Sequence, residues 1–331
     1  MSTNKRNLLI VSNDISSVDV FVKALQGGYC VRVISCGELA LSFIQSSTNL
    51  KLILLDTTIS DTEGGFGFFS KLRNNSLCID VPVIFISDRL SVEHEVESFK
   101  LGAVDYMLKY TDSAVIRARI DSHLEKYTQR VKELKNSQLE LVNCLSRAAK
   151  FKDDDTGMHI VRVSHYCRIL SEALNVGSEW SQLLFRVSPI HDIGKIGILD
   201  NVLKKNGGLT YDEREYMKLH VDYGLDILGN SNSEVIKMAR EVVEFHHEKW
   251  DGSGYPKGTK GEDIPLSARI VTIADVFDAL TSSRSYKDAW SVDEALSYLI
   301  QQSDIHFDRM LVNLFVKQKK HILHIKSCFP E

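Results

Sequence analysis

Three short runs, Leu8–Val11, Leu52–Leu55 and Val83–Ile86, are apolar at every position. Unbroken apolar runs of this length, bounded by polar residues, suit strands buried on both faces of a parallel sheet. Between them, Val18–Leu25 and Glu38–Ile44 repeat apolar side chains at helical spacing. The alternation predicts an α/β doubly wound parallel sheet over the N-terminal part. From about 114 to 150 the pattern changes. Ile120, Leu124, Tyr127, Val131, Leu134, Gln138, Leu141 and Leu145 follow a 4-3-4-3 spacing, and no Gly or Pro falls between Asp105 and Gly157. That predicts one long connecting helix with a heptad seam, expected to pair two copies as a parallel homodimer through the 120–145 helix. An amphipathic helix packed on its own chain is the alternative. Beyond it the chain reads as all-α. Thr210–Glu213 and Ser291–Glu294 have the form of capping boxes, Gly177, Gly194, Gly197 and Gly229 break or end helices, and about six or seven helices are expected. The expected organisation is 1–120, a linker helix 121–147, and 148–331.

Composition narrows the function classes. A hydrophobic fraction of 44% with 25% charged residues fits a globular protein. The net charge of -4 gives no global basic field to recruit a nucleic acid polymer or an anionic membrane. No run approaches the ~20 apolar residues of a membrane helix, and the apolar run near Met1 is too short for a signal peptide. Cys30, Cys36, Cys78, Cys144, Cys167 and Cys328 are scattered with no C-x-x-C pair, which points to a reducing compartment. The expected location is cytoplasmic.

The candidate chemistry lies in the second half, which holds nine of the eleven histidines. Asp155, His159, His191, Asp192, His220, His246, His247 and Asp275 fall on five helical segments, several of them apolar. One His on an apolar face is ordinarily a satisfied core residue. Five, each beside a carboxylate or another His, are hard to bury without a cation. Asp155 and His159 share a helix face. His191 and Asp192 are adjacent and would diverge by about 100° on a helix, so both ligate only if metals lie on either side or Asp192 bridges two of them. Imidazole and carboxylate without thiolate suit iron, manganese or zinc. Eight ligands exceed one ion's need, so two or three divalent ions are expected, and clustered divalent ions suit phosphoester hydrolysis. In the first half, Asp56, Ser87 and Lys109 follow the apolar runs, at strand ends where α/β sheets place function.

With Asp56, Ser87 and Lys109 so placed, residues 5 to 125 resemble a response-regulator receiver domain. The resemblance implies phosphorylation of Asp56 with Mg²⁺ bound nearby and a sensor kinase or signalling partner protein. The family's acidic pair is here Ser12 and Asn13, with Asp14 remaining. Neutral Ser and Asn bind Mg²⁺ poorly, which favours a docking or dimerising module over a phosphorylation switch.

From about Leu145 to Leu314 the chain is similar to the HD-GYP branch of the HD metal-dependent phosphohydrolases. The residues that carry the likeness are His191-Asp192 in a His-Asp-Ile-Gly-Lys-Ile-Gly197 segment, the stretch His246–Pro256 and the stretch Asp275–Thr281. The resemblance implies hydrolysis of cyclic di-GMP to linear pGpG, in some members on to GMP, with iron or manganese. Some members prefer cyclic GMP-AMP. It implies that His159, His191, Asp192, His220, His246, His247 and Asp275 are metal ligands. Asp155 stands where three-metal members have Glu, one methylene longer. Lys195 matches a contact to the scissile phosphate, with Asp192 and Lys195 the catalytic pair, and Arg284 and Lys287 match further phosphate contacts. Ser283 and Ser285 depart from the family pattern. A sensor that binds the nucleotide without cutting it is the alternative reading.

Overall fold

The computed structural model describes residues 6–46, 50–59, 64–74, 81–152, 157–205, 207–283 and 288–330. The chain divides into two compact units, 1–133 and 134–331.

The first unit is built from β1 (Arg6–Val11), α1 (Ile15–Leu25), β2 (Tyr29–Ile34), α2 (Gly37–Ser46), β3 (Leu50–Asp56), α3 (Gly64–Arg73), β4 (Val83–Ser87), α4 (Val92–Leu101), β5 (Asp105–Leu108) and the first part of α5 (Ser113–Lys150). The five strands form one sheet in the order β2-β1-β3-β4-β5, every pair parallel. The apolar runs have a simple cause. Successive strand residues point to opposite faces. Leu9, Val11, Ile53, Leu55, Val83 and Phe85 meet α2 and α3 on one face. Leu8, Ile10, Leu52, Leu54, Ile84 and Ile86 meet α1 and α5 on the other. The sheet is therefore covered on both sides, as expected. β2 has no unbroken apolar run because it is an edge strand: Cys30 and Arg32 alternate with Val31 and Val33.

The second unit starts within α5 and continues through α6 (Gly157–Ala173), α7 (Ser178–Val187), α8 (Asp200–Leu203), α9 (Tyr211–Lys218), α10 (His220–Leu228), α11 (Glu234–Phe245), α12 (Leu266–Thr281), α13 (Val292–Gln301), α14 (Arg309–Lys317) and α15 (Lys319–Cys328). Three short 3-10 turns, Ser188–Ile190, Ile193–Gly197 and Gly261–Asp263, interrupt it. The helices beyond α5 thus outnumber the six or seven expected, because several are only one to three turns long. Gln318 separates α14 from α15 without Gly or Pro. Both capping boxes are present, Thr210 with Glu213 and Ser291 with Glu294. The core joins α6, α7, α11, α12, α13 and α14 around Tyr166, Val242, Ile273, Phe277 and Phe315. Among the described residues, no helix is long and apolar enough to cross a membrane.

The long helix forms as the pattern predicts, but its seam is not free along its length. Ile120 and Leu124 are buried against the sheet of the first unit. Further along, the buried positions are Leu139, Val142 and Ser146, one residue out of step with the heptad. Gln138 accepts a hydrogen bond from the Ser233 hydroxyl at 2.5 Å rather than standing as an isolated polar seam residue. Val131, Leu134 and Leu141 remain 48%, 63% and 64% exposed. Leu139→Ala is therefore expected to destabilise the second unit by about 2–5 kcal/mol. Leu141→Ala is expected to change it by under about 0.5 kcal/mol at low protein concentration. Urea unfolding of the two variants checks this, and equal effects would contradict the observed register.

Candidate metal centre

Seven of the eight candidate ligands lie among the described residues, and they converge in two groups. Asp192, His220, His246 and His247 bring ligand atoms within 4.8 Å of one another, as do His159, His191 and Asp275. Asp155, Arg284 and Lys287 lie outside the described residues.

Each candidate ligand is delivered by a local feature. His159 is on α6 and Asp275 on α12. His246 caps the C-terminal end of α11, with His247 following, and His220 opens α10. His191 and Asp192 do not sit on an α-helix: they occupy the junction of two 3-10 turns. Gly194 lets that junction press on α10, since a Cβ there would lie 1.7 Å from the His220 carbonyl oxygen.

The imidazoles are oriented by their Nδ1 atoms. His191 Nδ1 donates to the Ser188 carbonyl at 2.9 Å, and His220 Nδ1 to that of Met217 at 2.7 Å. His246 Nδ1 is 3.0 Å from the Val243 carbonyl oxygen. A carbonyl only accepts, so each Nδ1 carries the proton and each Nε2 is left with a lone pair. Those Nε2 atoms face inward. His220 Nε2 and His246 Nε2 are 3.5 Å apart, an arrangement of two acceptors that a shared cation resolves. Burial lowers the pKa of His220 to about 4 and holds His247 well below its ordinary range, which keeps both neutral and able to ligate.

Asp192 divides its carboxylate between the groups. Oδ1 lies 3.5 Å from His220 Nε2 and 3.6 Å from His246 Nε2. Oδ2 lies 3.3 Å from His191 Nε2 and 2.9 Å from Lys195 Nζ. His191 Nε2 and Asp192 Oδ1 are buried without a hydrogen-bond partner. Buried polar atoms ordinarily have one, so the donor set fits divalent cations. Burial opposes charge on Asp192, but the Lys195 ammonium beside it leads the groups that outweigh it and hold the carboxyl well below its usual range. Burial likewise opposes charge on His159. Hydrogen bonds to Asp275 and Asp278 prevail and raise its pKa to about 10, a positive charge at the place a cation would supply one. Against His247, the Tyr255 ring stacks at 4.6 Å, with Lys218 Nζ 5.3 Å from the same ring. Gly254 lets the Tyr255 loop double back, since a Cβ there would lie 2.4 Å from the Lys249 nitrogen.

In the first unit, Asp56 is fully buried and Lys109 nearly so, with Nζ 2.9 Å from Asp56 and 2.7 Å from Asp88. Ser12 Oγ donates to Asp56 Oδ2 at 2.5 Å, and the Thr58 backbone and hydroxyl donate to Oδ1, each at 2.9 Å. Asp14 caps α1 by accepting from the Ser16 amide at 3.1 Å, and lies 3.4 Å from Lys109. The Ser16 hydroxyl bond is the main cause of its pKa falling to about 2. Ser87 donates instead to the Arg89 carbonyl.

Three neighbours were not singled out from the sequence: Asp88 beside Lys109, and the buried pair Arg162 and Asp278 beside His159. The signal for Asp278 was available, since it lies three residues after Asp275 on an apolar helix.

Comparison with known proteins agrees with this architecture. The HD domain family matches residues 119–311, and the response regulator receiver domain matches residues 8–121. A probable cyclic di-GMP phosphodiesterase of Vibrio cholerae is 32% identical over 98% of this chain and 80% of its own length. The cyclic di-GMP phosphodiesterase response regulator RpfG of Xanthomonas campestris is 34% identical over 88% of this chain and 81% of its own. The 3'3'-cGAMP-specific phosphodiesterase 2 of Vibrio cholerae is 39% identical over 60% of this chain and 38% of its own. With the HD domain matching more than half of its length, the chain belongs to the HD domain family, here joined to a response regulator receiver domain.

Proposed function

We propose that this protein is a metal-dependent phosphodiesterase that opens cyclic di-GMP to linear pGpG, and on to GMP if a second cleavage follows. The observation that carries the reading is the divided carboxylate of Asp192, one oxygen toward His220 and His246 and the other toward His191 and Lys195. Only a side chain with two acceptor atoms serves two sites in this way. The relatives that the chain matches over most of its length are cyclic di-GMP phosphodiesterases by name.

His159, His191 and Asp275 would hold one divalent ion, and Asp192, His220, His246 and His247 a second, with iron or manganese favoured by the imidazole–carboxylate set. When bound, such ions activate water near neutral pH and neutralise charge on phosphate oxygens. Lys195, held beside Asp192, offers a cation to the phosphate oxygen on which charge develops. Asp155 would serve a third ion and Arg284 and Lys287 the other phosphate, as the resemblance implies. The cut would be made by residues 148–331, the linker helix being 121–147 and the receiver 1–120.

The receiver acts in this reading as a docking and dimerising module in the cytoplasm. Ser12, Thr58 and Lys109 already fill the acceptor positions of Asp56. Dimerisation would use Val131, Leu134 and Leu141, the exposed remainder of the α5 seam.

The first test is a chromatographic product assay on protein loaded anaerobically with Fe²⁺ or Mn²⁺. Wild type is expected to yield linear dinucleotide or GMP, while Asp192→Ala loses both metal and turnover. Lys195→Met keeps its metal and loses about 10²–10³ in kcat. Intact cyclic di-GMP in a metal-replete sample would sink the reading. The cGAMP-specific relative makes cyclic GMP-AMP the competing substrate, and its selective cleavage would redirect the assignment.

A small-molecule phosphodonor with Mg²⁺ is expected to leave Asp56 unlabelled. Labelling of the wild type that Asp56→Asn abolishes would restore the phosphorylation switch. In equilibrium sedimentation at micromolar concentration, the wild type should be dimeric and Leu134→Glu with Leu141→Glu monomeric. A monomeric wild type would refute the dimer.

A further inference from the structure

Three of the cluster histidines are oriented by carbonyls of their own chain three or four residues upstream. His159 is not. It is the third residue of α6. Its Nδ1 instead meets Asp278 Oδ2 at 2.8 Å, from α12 and 119 residues away in sequence.

Asp278 has no exposed surface and receives four donors. Arg162 Nε donates to Oδ1 at 2.7 Å and Nη2 to Oδ2 at 2.8 Å. The Ser282 hydroxyl lies 3.2 Å from Oδ2, and His159 completes the set. Three of these donors meet at Oδ2 and one at Oδ1, so the carboxylate is held from several sides. Arg162 is held in turn by the Ser282 hydroxyl at 2.8 Å and by the Phe329 carbonyl, just past α15, at 3.1 Å. Lys326 of α15 donates to the Thr281 carbonyl at 2.7 Å, and the Phe329 ring stacks on His165. An apolar pair of like volume would serve packing equally well. It would leave His159 free to turn.

We infer that Asp278 is a positioning residue: braced by Arg162 and the end of α15, it fixes the His159 ring so that Nε2 faces Asp275. It thereby sets cation affinity at the His159–His191–Asp275 group, independently of the Asp192–His220–His246–His247 group. The inference rests on the metal reading proposed above. Carboxylate or carbonyl partners on the far nitrogen of a ligating histidine fix its tautomer, and losing one weakens metal binding about 10–100-fold.

The test is Mn²⁺ titration of the metal-free full chain, with free Mn²⁺ followed by electron paramagnetic resonance. Wild type is compared with Asp278→Asn and with the apolar pair Arg162→Met/Asp278→Leu. Wild type should show at least two sites, one for each of these groups. Both variants should lose about 10–100-fold at one site and keep the other. In metal-free thermal unfolding the apolar pair should regain stability that Asp278→Asn loses, without regaining the weakened site. A purely structural role predicts the opposite, with metal affinity returning alongside stability. Two equally tight sites in both variants would overturn this inference alone, and a wild type that takes up no Mn²⁺ would overturn the metal reading and this inference with it. If neither variant folds, ¹⁵N-histidine spectra of the Zn²⁺-loaded wild type decide: a His159 proton on Nδ1 supports the inference and one on Nε2 refutes it.

Discussion

Inward-facing imidazole lone pairs impose the constraint around which the second unit is arranged. His191, His220 and His246 each give their Nδ1 proton to a backbone carbonyl, so the opposite nitrogens converge as acceptors in a buried space. Acceptors brought together away from water repel unless a proton or cation lies between them. The local structure follows from this. The chain breaks into 3-10 turns at His191-Asp192, α11 ends at His246, and α10 begins at His220, because helix ends offer the geometry in which a ring can fold back on a nearby carbonyl. Gly194 permits the close approach that brings two of these ends together.

The sequence made much of this legible, for a physical reason. Polar residues that disrupt an apolar stretch are costly, so His191, His220, Asp192 and Asp275 stand out against the apolar neighbours that surround them. The sheet was equally readable where both faces are covered, as in β1, β3 and β4, and unreadable at β2, whose edge position removes the need for an unbroken apolar run. Arg162 escaped notice because its meaning lies in contact with Asp278 across 116 residues, which no periodicity encodes. The junction at His191-Asp192 was misread as helical for a related reason: side-chain patterns of α and 3-10 turns barely differ over so few residues.

The α5 helix illustrates how one pattern can serve several partners. A heptad reading treats Ile120 through Leu145 as one seam. The fold assigns the first positions to the sheet, shifts the last by one residue into the helical core, and leaves only Val131, Leu134 and Leu141 outside. Periodicity reports that a face is apolar and is silent on what covers it.

The choice of neutral imidazole over carboxylate also fixes a balance of charge. Across the two clusters only Asp192 and Asp275 are anionic among seven candidate ligands. Two divalent ions would bring four positive charges, of which these carboxylates cancel two, and Lys195 adds one more beside Asp192. A loaded centre of this composition stays net cationic, which suits a dianion such as a cyclic dinucleotide with its two phosphodiesters. A carboxylate-rich cage would hold the same ions more tightly and present an almost neutral face to the same ligand.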